Sequence, residues 1–164
     1  MSYPRIIRNF NVFADGISYF GLAREAKLPE LKVMTAAHRG AGMDGPVAID
    51  MGVEGLTAEI TFAEWPPEIL TSIGTIRRWV FRPAGRSDEG VDQTNIVTMV
   101  GLITKHGFGG LKAGDESLLT VTLDLRQFRL EQDNVVMWDI NLESGRRVIG
   151  GVDQNASLRV SMGL

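Results

Sequence analysis

Leu119, Val121, Leu123 and Leu125 alternate with Thr120, Thr122 and Asp124, a strict period of two. That spacing gives a β-strand one apolar and one polar face, whereas a helix would repeat its apolar positions every three or four residues. Leu56 to Phe62 shows the same pattern, with Leu56, Ala58, Ile60 and Phe62 opposed to Thr57, Glu59 and Thr61. Arg77, Trp79 and Phe81 oppose Arg78 and Val80 in a weaker version. Ile96 to Thr104 is an apolar, β-branched run that predicts a well-buried strand. Turn residues punctuate these runs. Asp15-Gly16 separates Asn11-Val12-Phe13 from Ile17-Ser18-Tyr19-Phe20 and predicts a hairpin, and Asp133-Asn134 precedes the run Val135 to Leu142.

The apolar phase flips after Leu125, because Phe128 and Leu130 are apolar while Gln127 and Arg129 are polar. A bulge or a change of packing partner near Gln127 produces such a flip. A single strand over 116–130 would span ~50 Å at ~3.3 Å per residue. A domain of this size has a radius of gyration of ~15 Å, so such a strand would project and need partners along its edges. Two shorter strands broken at the flip are the alternative. Helix is scarce. Pro66-Pro67-Glu68 through Gly74 carries start and stop signals for one short helix, and Asp153 is a candidate cap for a second over Gln154 to Val160. The fold expected is mainly β, with one or two short helices.

Composition narrows the chemistry. The 164 residues form one evenly composed chain, which predicts a single domain. There is no cysteine, so disulfides, thiol nucleophiles and Cys-based zinc sites are excluded. The formal charge of -3 lacks the basic excess typical of proteins that grip nucleic acid. Met1 to Phe10 carries Arg5 and Arg8 without the apolar run of a signal peptide, and no stretch approaches the ~20 apolar residues of a membrane span. We therefore expect synthesis in the cytoplasm and no membrane insertion by the monomer.

The sites that imitate catalysis are incomplete. His38 and His106 have no accompanying ligand cluster, and no Gly-x-Ser-x-Gly elbow is present. The glycine-rich 107–114 segment lacks the Gly-Lys-Ser/Thr ending of a phosphate loop and lies between two expected strands, so it is assigned as a connection. Arg77, Arg78, Arg82 and Arg86 are the one basic concentration, but alternation puts Arg77 and Arg78 on opposite strand faces, which suits contacts to a neighbouring subunit as well as nucleic acid. Asp124, Asp133, Asp139 and Glu143 have no spacing that demands acid–base work. No catalytic, cofactor-binding or metal-binding residue is assigned, and no cofactor is expected.

Several longer motifs carry a resemblance. They are Asn11-Val12-Phe13-Ala14-Asp15-Gly16, Leu28-Pro29-Glu30-Leu31, the block from His38 through Arg39-Gly40-Ala41-Gly42-Met43-Asp44-Gly45-Pro46 to Leu56, Lys112-Ala113-Gly114-Asp115, Ile149-Gly150-Gly151-Val152-Asp153-Gln154 and the ending Met162-Gly163-Leu164. Together they resemble the FII-like major tail tube family of contractile phage tails and R-type tailocins, nearly end to end. The family often has Ala-Gly-Gly where this chain has Gly40-Ala41-Gly42, and Asn where it has Gly150. These are local loop changes.

The resemblance implies a non-enzymatic β-barrel or sandwich-like subunit. Six copies would form a ring, with strands joined across subunits, and rings would stack into a tube inside a sheath. It implies a tail sheath, baseplate and tail-terminator proteins as partners, a place in the virion, and DNA or ions passing through the lumen without specific binding. The glycine-rich segment around 36–52 is the expected inter-ring loop, its Gly40 to Pro46 stretch is expected to be mobile in the free subunit, and Arg39, Gly40, Gly42, Met43, Asp44, Gly45, Pro46 and Asp50 are contact candidates. Thr57, Glu59, Thr61, Thr120, Thr122 and Asp124 are candidates for a weakly negative lumen lining. A small cytoplasmic β-barrel ligand-binding domain and the tube protein of type VI secretion are the alternatives.

Overall fold

The computed structural model describes residues 3–164. Its first hairpin joins β1 (Ile6–Ala14) to β2 (Ile17–Ser18). Asp15 and Gly16 take φ of 48° and 84°, the paired left-handed conformation that matches strand twist in a two-residue turn. Asp133 and Asn134, at φ of 49° and 65°, repeat that solution between β9 (Leu119–Gln132) and β10 (Val135–Asn141). Asp133 is fixed further: Thr94 donates its N–H to the carboxylate at 3.1 Å.

Around these hairpins lie β3 (Ala23–Lys27), β6 (Leu56–Phe62), β7 (Ile76–Arg86), β8 (Asp92–Phe108), β11 (Arg146–Ile149) and β12 (Val152–Asp153). They form one antiparallel sheet in the order β12-β11-β10-β9-β8-β7-β1-β2, with β6 added to β9 and β3 to β6. Among the described residues, strands β4 (Val33–His38) and β5 (Val47–Val53) pair only with each other.

Strand β9 organises this branching. It runs unbroken for 14 residues, so the two-strand alternative fails. One edge pairs with β8 throughout; the other pairs with β6 over Leu119–Leu125 and with β10 over Gln127–Gln132. The phase flip has both expected causes at once, a bulge and a change of partner. Val100 faces Gln127 and Gly101 faces Leu125, which leaves Arg126 as the extra residue. The bulge presses on β8. A Cβ at Gly101 would sit 2.7 Å from the Asp124 carbonyl oxygen and 2.9 Å from Leu125 Cδ2, so only glycine fits.

The two branches fold over one core. Leu56, Ala58, Ile60 and Phe62 from β6 meet Val12, Ala14, Trp79 and Phe81 from β1 and β7, all buried. Tyr19 stands edge-on to Phe62 at 5.6 Å, and Phe62 leans on Trp79 at 6.3 Å. Burying each large apolar side chain of this kind stabilises by ~1.5–3 kcal/mol before entropy is counted. Strand β8 is longer and less buried than expected. Val97, Met99 and Ile103 face the core, but Ile96, Thr98, Val100 and Leu102 are half-buried on the outer face, because the sheet covers the core as a single layer.

Helix α1 (Pro67–Leu70) starts at the proline pair and buries Ile69. Helix α2 (Ala156–Ser161) starts later than expected. Asp153 ends β12 instead of capping the helix, and its carboxylate accepts the Asn155 N–H and pairs with Arg159.

Candidate assembly surface

The six lumen candidates come together. Thr57 lies opposite Asp124, Glu59 opposite Thr122, and Thr61 opposite Thr120. Directly opposed residues in an antiparallel pair share a face, so the six form one patch behind which Leu56, Ala58, Ile60, Phe62, Leu119, Val121, Leu123 and Leu125 are buried. The Thr61 and Thr120 hydroxyl oxygens are 3.4 Å apart. Neighbouring strands widen the patch with Glu25 and Lys27 from β3 and Lys105 from β8. Three carboxylates and two ammonium groups leave the patch one negative charge in excess.

Sequence reasoning missed β3 because Ala23-Arg24-Glu25-Ala26-Lys27 is made of good helix formers. Pairing with β6 overrides that propensity. The only local warning is Gly21, at φ of 81°, two residues before the strand.

The four strands β3-β6-β9-β8 of this branch end in two open edges. Among the described residues β3 pairs with β6 alone. On the far side, β7 reaches β8 only as far as Leu102, and Thr75 and Gly74 bond Ile103, so among the described residues 104–108 of β8 have no strand partner opposite β9. Neither Glu25 nor Lys105 is in an ion pair among the described residues.

The polar face continues past the bulge into an open groove of about 1110 Å³ lined by Arg78, Val80, Arg82, Ile96, Thr98 and Arg129, among others. The basic concentration is therefore divided. Arg77 turns to Asp15 at 3.3 Å, Arg86 grips Asp92 at 2.6 and 2.9 Å, and Arg78 and Arg82 line the groove. The four acidic candidates are dispersed too: Asp139 pairs with Arg146 at 3.1 Å, Glu143 with Arg126 at 2.8 Å, Asp133 sits in its turn, and Asp124 lies on the polar patch. His106 faces the core opposite Val121, and burial lowers its pKa, favouring the neutral ring. His38 is exposed at the end of β4.

The segment holding the inter-ring candidates is mostly strand. Only 39–46 is loop, and it folds back on itself. Gly40 donates its N–H to Met43 Sδ at 3.0 Å, Met43 donates its own to the Gly40 carbonyl at 3.2 Å, and Arg39 Nε reaches the Met43 carbonyl at 3.3 Å. Gly42, at φ of 84°, makes this turn possible. Asp44, Gly45 and Pro46 are exposed. Asp50 is different: it accepts both terminal nitrogens of Arg147 and the Gly52 N–H at 2.8 Å. The Arg147 bond and then the Gly52 bond hold its carboxyl below the ordinary range. Arg147 is 6% exposed, and nothing in its local sequence announced this long-range pair.

A protein-family model described as phage tail tube protein FII matches residues 4–163. The tail tube protein of Escherichia phage P2 is 28% identical over 172 residues, covering all of both chains. The major tail tube protein of Serratia phage KSP20 is 28% identical over 146 residues, covering 87% of this chain and 85% of the relative. Among solved structures, a chain of the anti-feeding prophage baseplate, determined by cryo-electron microscopy, superposes with a TM-score of 0.51 at 15% identity. That alignment covers 80% of this chain and 97% of the other and supports the fold. With a match over nearly its whole length, the chain belongs to the phage tail tube protein FII family.

Proposed function

We propose that this protein is the repeating subunit of a contractile tail tube, in which six copies close into a ring and rings stack into a hollow conduit. The observation that carries this reading is the four-stranded branch with a polar face, a buried face and two open edges. Its strands alternate in direction, so β3 and β8 run antiparallel to one another. The β8 edge of one subunit can therefore continue onto the β3 edge of the next with the alternation intact. An even number of strands per subunit lets that continue around any closed ring, and closure removes the free edges that would otherwise invite uncontrolled pairing. Lys105 on one edge would approach Glu25 on the other, so the seam joins opposite charges.

In this arrangement the patch of Thr57, Glu59, Thr61, Thr120, Thr122 and Asp124 lines the lumen. With Glu25, Glu59 and Asp124 outnumbering Lys27 and Lys105, its slight negative excess repels a passing duplex within about one Debye length, ~8 Å at physiological salt. The 39–46 loop, with Arg39, Gly40, Gly42, Met43, Asp44, Gly45 and Pro46, meets the next ring. A sheath encloses the tube, baseplate and terminator proteins bound its ends, and the assembled tube resides in the virion and conducts DNA or ions. The work is mechanical, without a cofactor or a chemical step.

A charge exchange tests the seam. Glu25→Lys should stop ring formation as seen by negative-stain microscopy, and Glu25→Lys combined with Lys105→Glu should restore rings. Rings formed equally well by the single variant would refute the seam, and a wild-type chain that stayed monomeric under tail-assembly conditions would refute the tube.

A further inference from the structure

We propose that Asp50 and Arg147 form a clasp that holds the β4–β5 hairpin against the body and points the hairpin's apolar face away from it. Among the described residues the hairpin has no strand partner beyond itself, and every residue of β4 is exposed. Its root is closed by Glu54, whose N–H bonds the Lys32 carbonyl at 2.8 Å and whose carboxylate meets Lys32 Nζ at 3.1 Å. Beyond the root, its charged tie to the body is Arg147 of β11.

Register decides what the clasp does. Thr35 lies opposite Asp50 and Ala37 opposite Ala48, so the face that carries Asp50 is otherwise small; its residues are exposed, and it meets the body through Asp50 and Arg147. Ala36 lies opposite Ile49 and His38 opposite Val47, and this second face, with Met34 and Met51, lies on the side of the hairpin opposite Asp50. Met34, Val47, Ile49 and Met51 are exposed there. A one-residue slip would exchange the two faces. Asp50 guards against that slip. It sits at the irregularity between Val33 and Thr35, where Gly52 takes φ of 110°, and its own strand fixes it through the Gly52 N–H.

Arg147 makes the tie specific. Its side chain is almost wholly buried, and its Nε has no hydrogen-bond partner among the described residues. Asp50 is the anion that offsets this buried charge, so the hairpin is drawn to one place on the body. Resting on the tube reading above, the partner for the outward face is a second copy of this chain in the next ring. The clasp therefore converts a flexible projection into a preset contact and lowers the entropy lost on stacking.

The test compares Asp50→Asn, which keeps shape but removes charge, with Arg147→Met, which removes the buried cation. Amide exchange would be followed over 33–53 and over β8 and β9 in dilute subunits, and tube formation would be followed by sedimentation. Exchange in 33–53 should accelerate at least tenfold in both variants while β8 and β9 keep their protection, and tube formation should fall by a similar factor. Asp50→Glu should recover part of each. Unchanged exchange in 33–53 would overturn the clasp, as would loss of protection throughout the body in both variants. Faster exchange with undiminished tube formation would overturn its part in presenting the face. A wild-type chain that forms no tubes would defeat the tube reading, while the exchange result would still decide the clasp.

Discussion

Strands β5 and β6 are each seven residues long, nearly adjacent in sequence, and meet opposite fates. Val47, Ile49 and Met51 alternate with Ala48 and Asp50 in the first, much as Leu56, Ala58, Ile60 and Phe62 alternate with Thr57, Glu59 and Thr61 in the second. In β6 the apolar face is sealed into the core, with each of its four residues at 1% exposure or less. In β5 the corresponding face is open, and Val47, Ile49 and Met51 are 54%, 49% and 61% exposed. Period-two patterning specifies which side is apolar but not which molecule covers it. One strand is covered by its own chain, and the other keeps its apolar face exposed.

The comparison breaks most visibly in the core. Leu123→Ala, opposite Ala58 in the buried layer, should destabilise the isolated subunit by ~2–5 kcal/mol in urea unfolding. Ile49→Ala in the hairpin should change that midpoint by no more than ~0.5 kcal/mol, as for exposed positions. A hairpin variant as destabilising as the core variant would contradict the division.

A smaller effect is expected at the bulge that separates the two branches. Gly101→Ala forces a Cβ against the Asp124 carbonyl and should cost ~1–3 kcal/mol by overpacking. Thermal unfolding measures it, and an unchanged midpoint would show that the strands can move apart at little cost.

Acid sharpens the contrast further. The Asp50 carboxyl is held below its ordinary range by Arg147 and Gly52. A carboxylate with a depressed folded pKa contributes stability above its unfolded pKa and loses it as pH falls through the folded value. The hairpin's exchange protection should therefore be complete above ~pH 4, the ordinary aspartate pKa. It should decline only as pH drops further, and more sharply than protection in β6, after correction for the intrinsic exchange rate. The smallest expected effect is in the 39–46 loop, where amides should gain modest protection when tubes form, because Gly40, Arg39 and Met43 already bond one another in the subunit. Equal protection in subunits and tubes would remove this loop from the stacking contact.

Much of the body was legible because its signals are local. The two-residue turns at Asp15-Gly16 and Asp133-Asn134, the alternation in β6 and β9 and the proline-led α1 each depend on neighbours in sequence. Even the phase flip at Gln127 announced the place where β9 exchanges β6 for β10. What stayed hidden depends on distant partners. β3 is spelled in helix formers and becomes a strand through β6. Ile96, Val100 and Leu102 look like core residues yet line the outer face, because nothing in a β-branched run tells which side a single-layer sheet will bury. The candidate patch was two-thirds legible: six of its residues follow from alternation, whereas Glu25, Lys27 and Lys105 join it through strand pairing. The loop expectation failed in extent, since hydrogen bonding between 33–38 and 47–53 turns most of that glycine-punctuated segment into a hairpin.

A cryo-electron microscopy reconstruction of assembled tubes would look directly at the seam. We predict that 104–108 of β8 will be hydrogen-bonded antiparallel to Ala23–Lys27 of the adjacent subunit, with Thr57, Glu59, Thr61, Thr120, Thr122 and Asp124 facing the channel. Rings whose β3 and β8 margins remain solvent-exposed, or whose channel is walled by Arg78, Arg82 and Arg129, would contradict it.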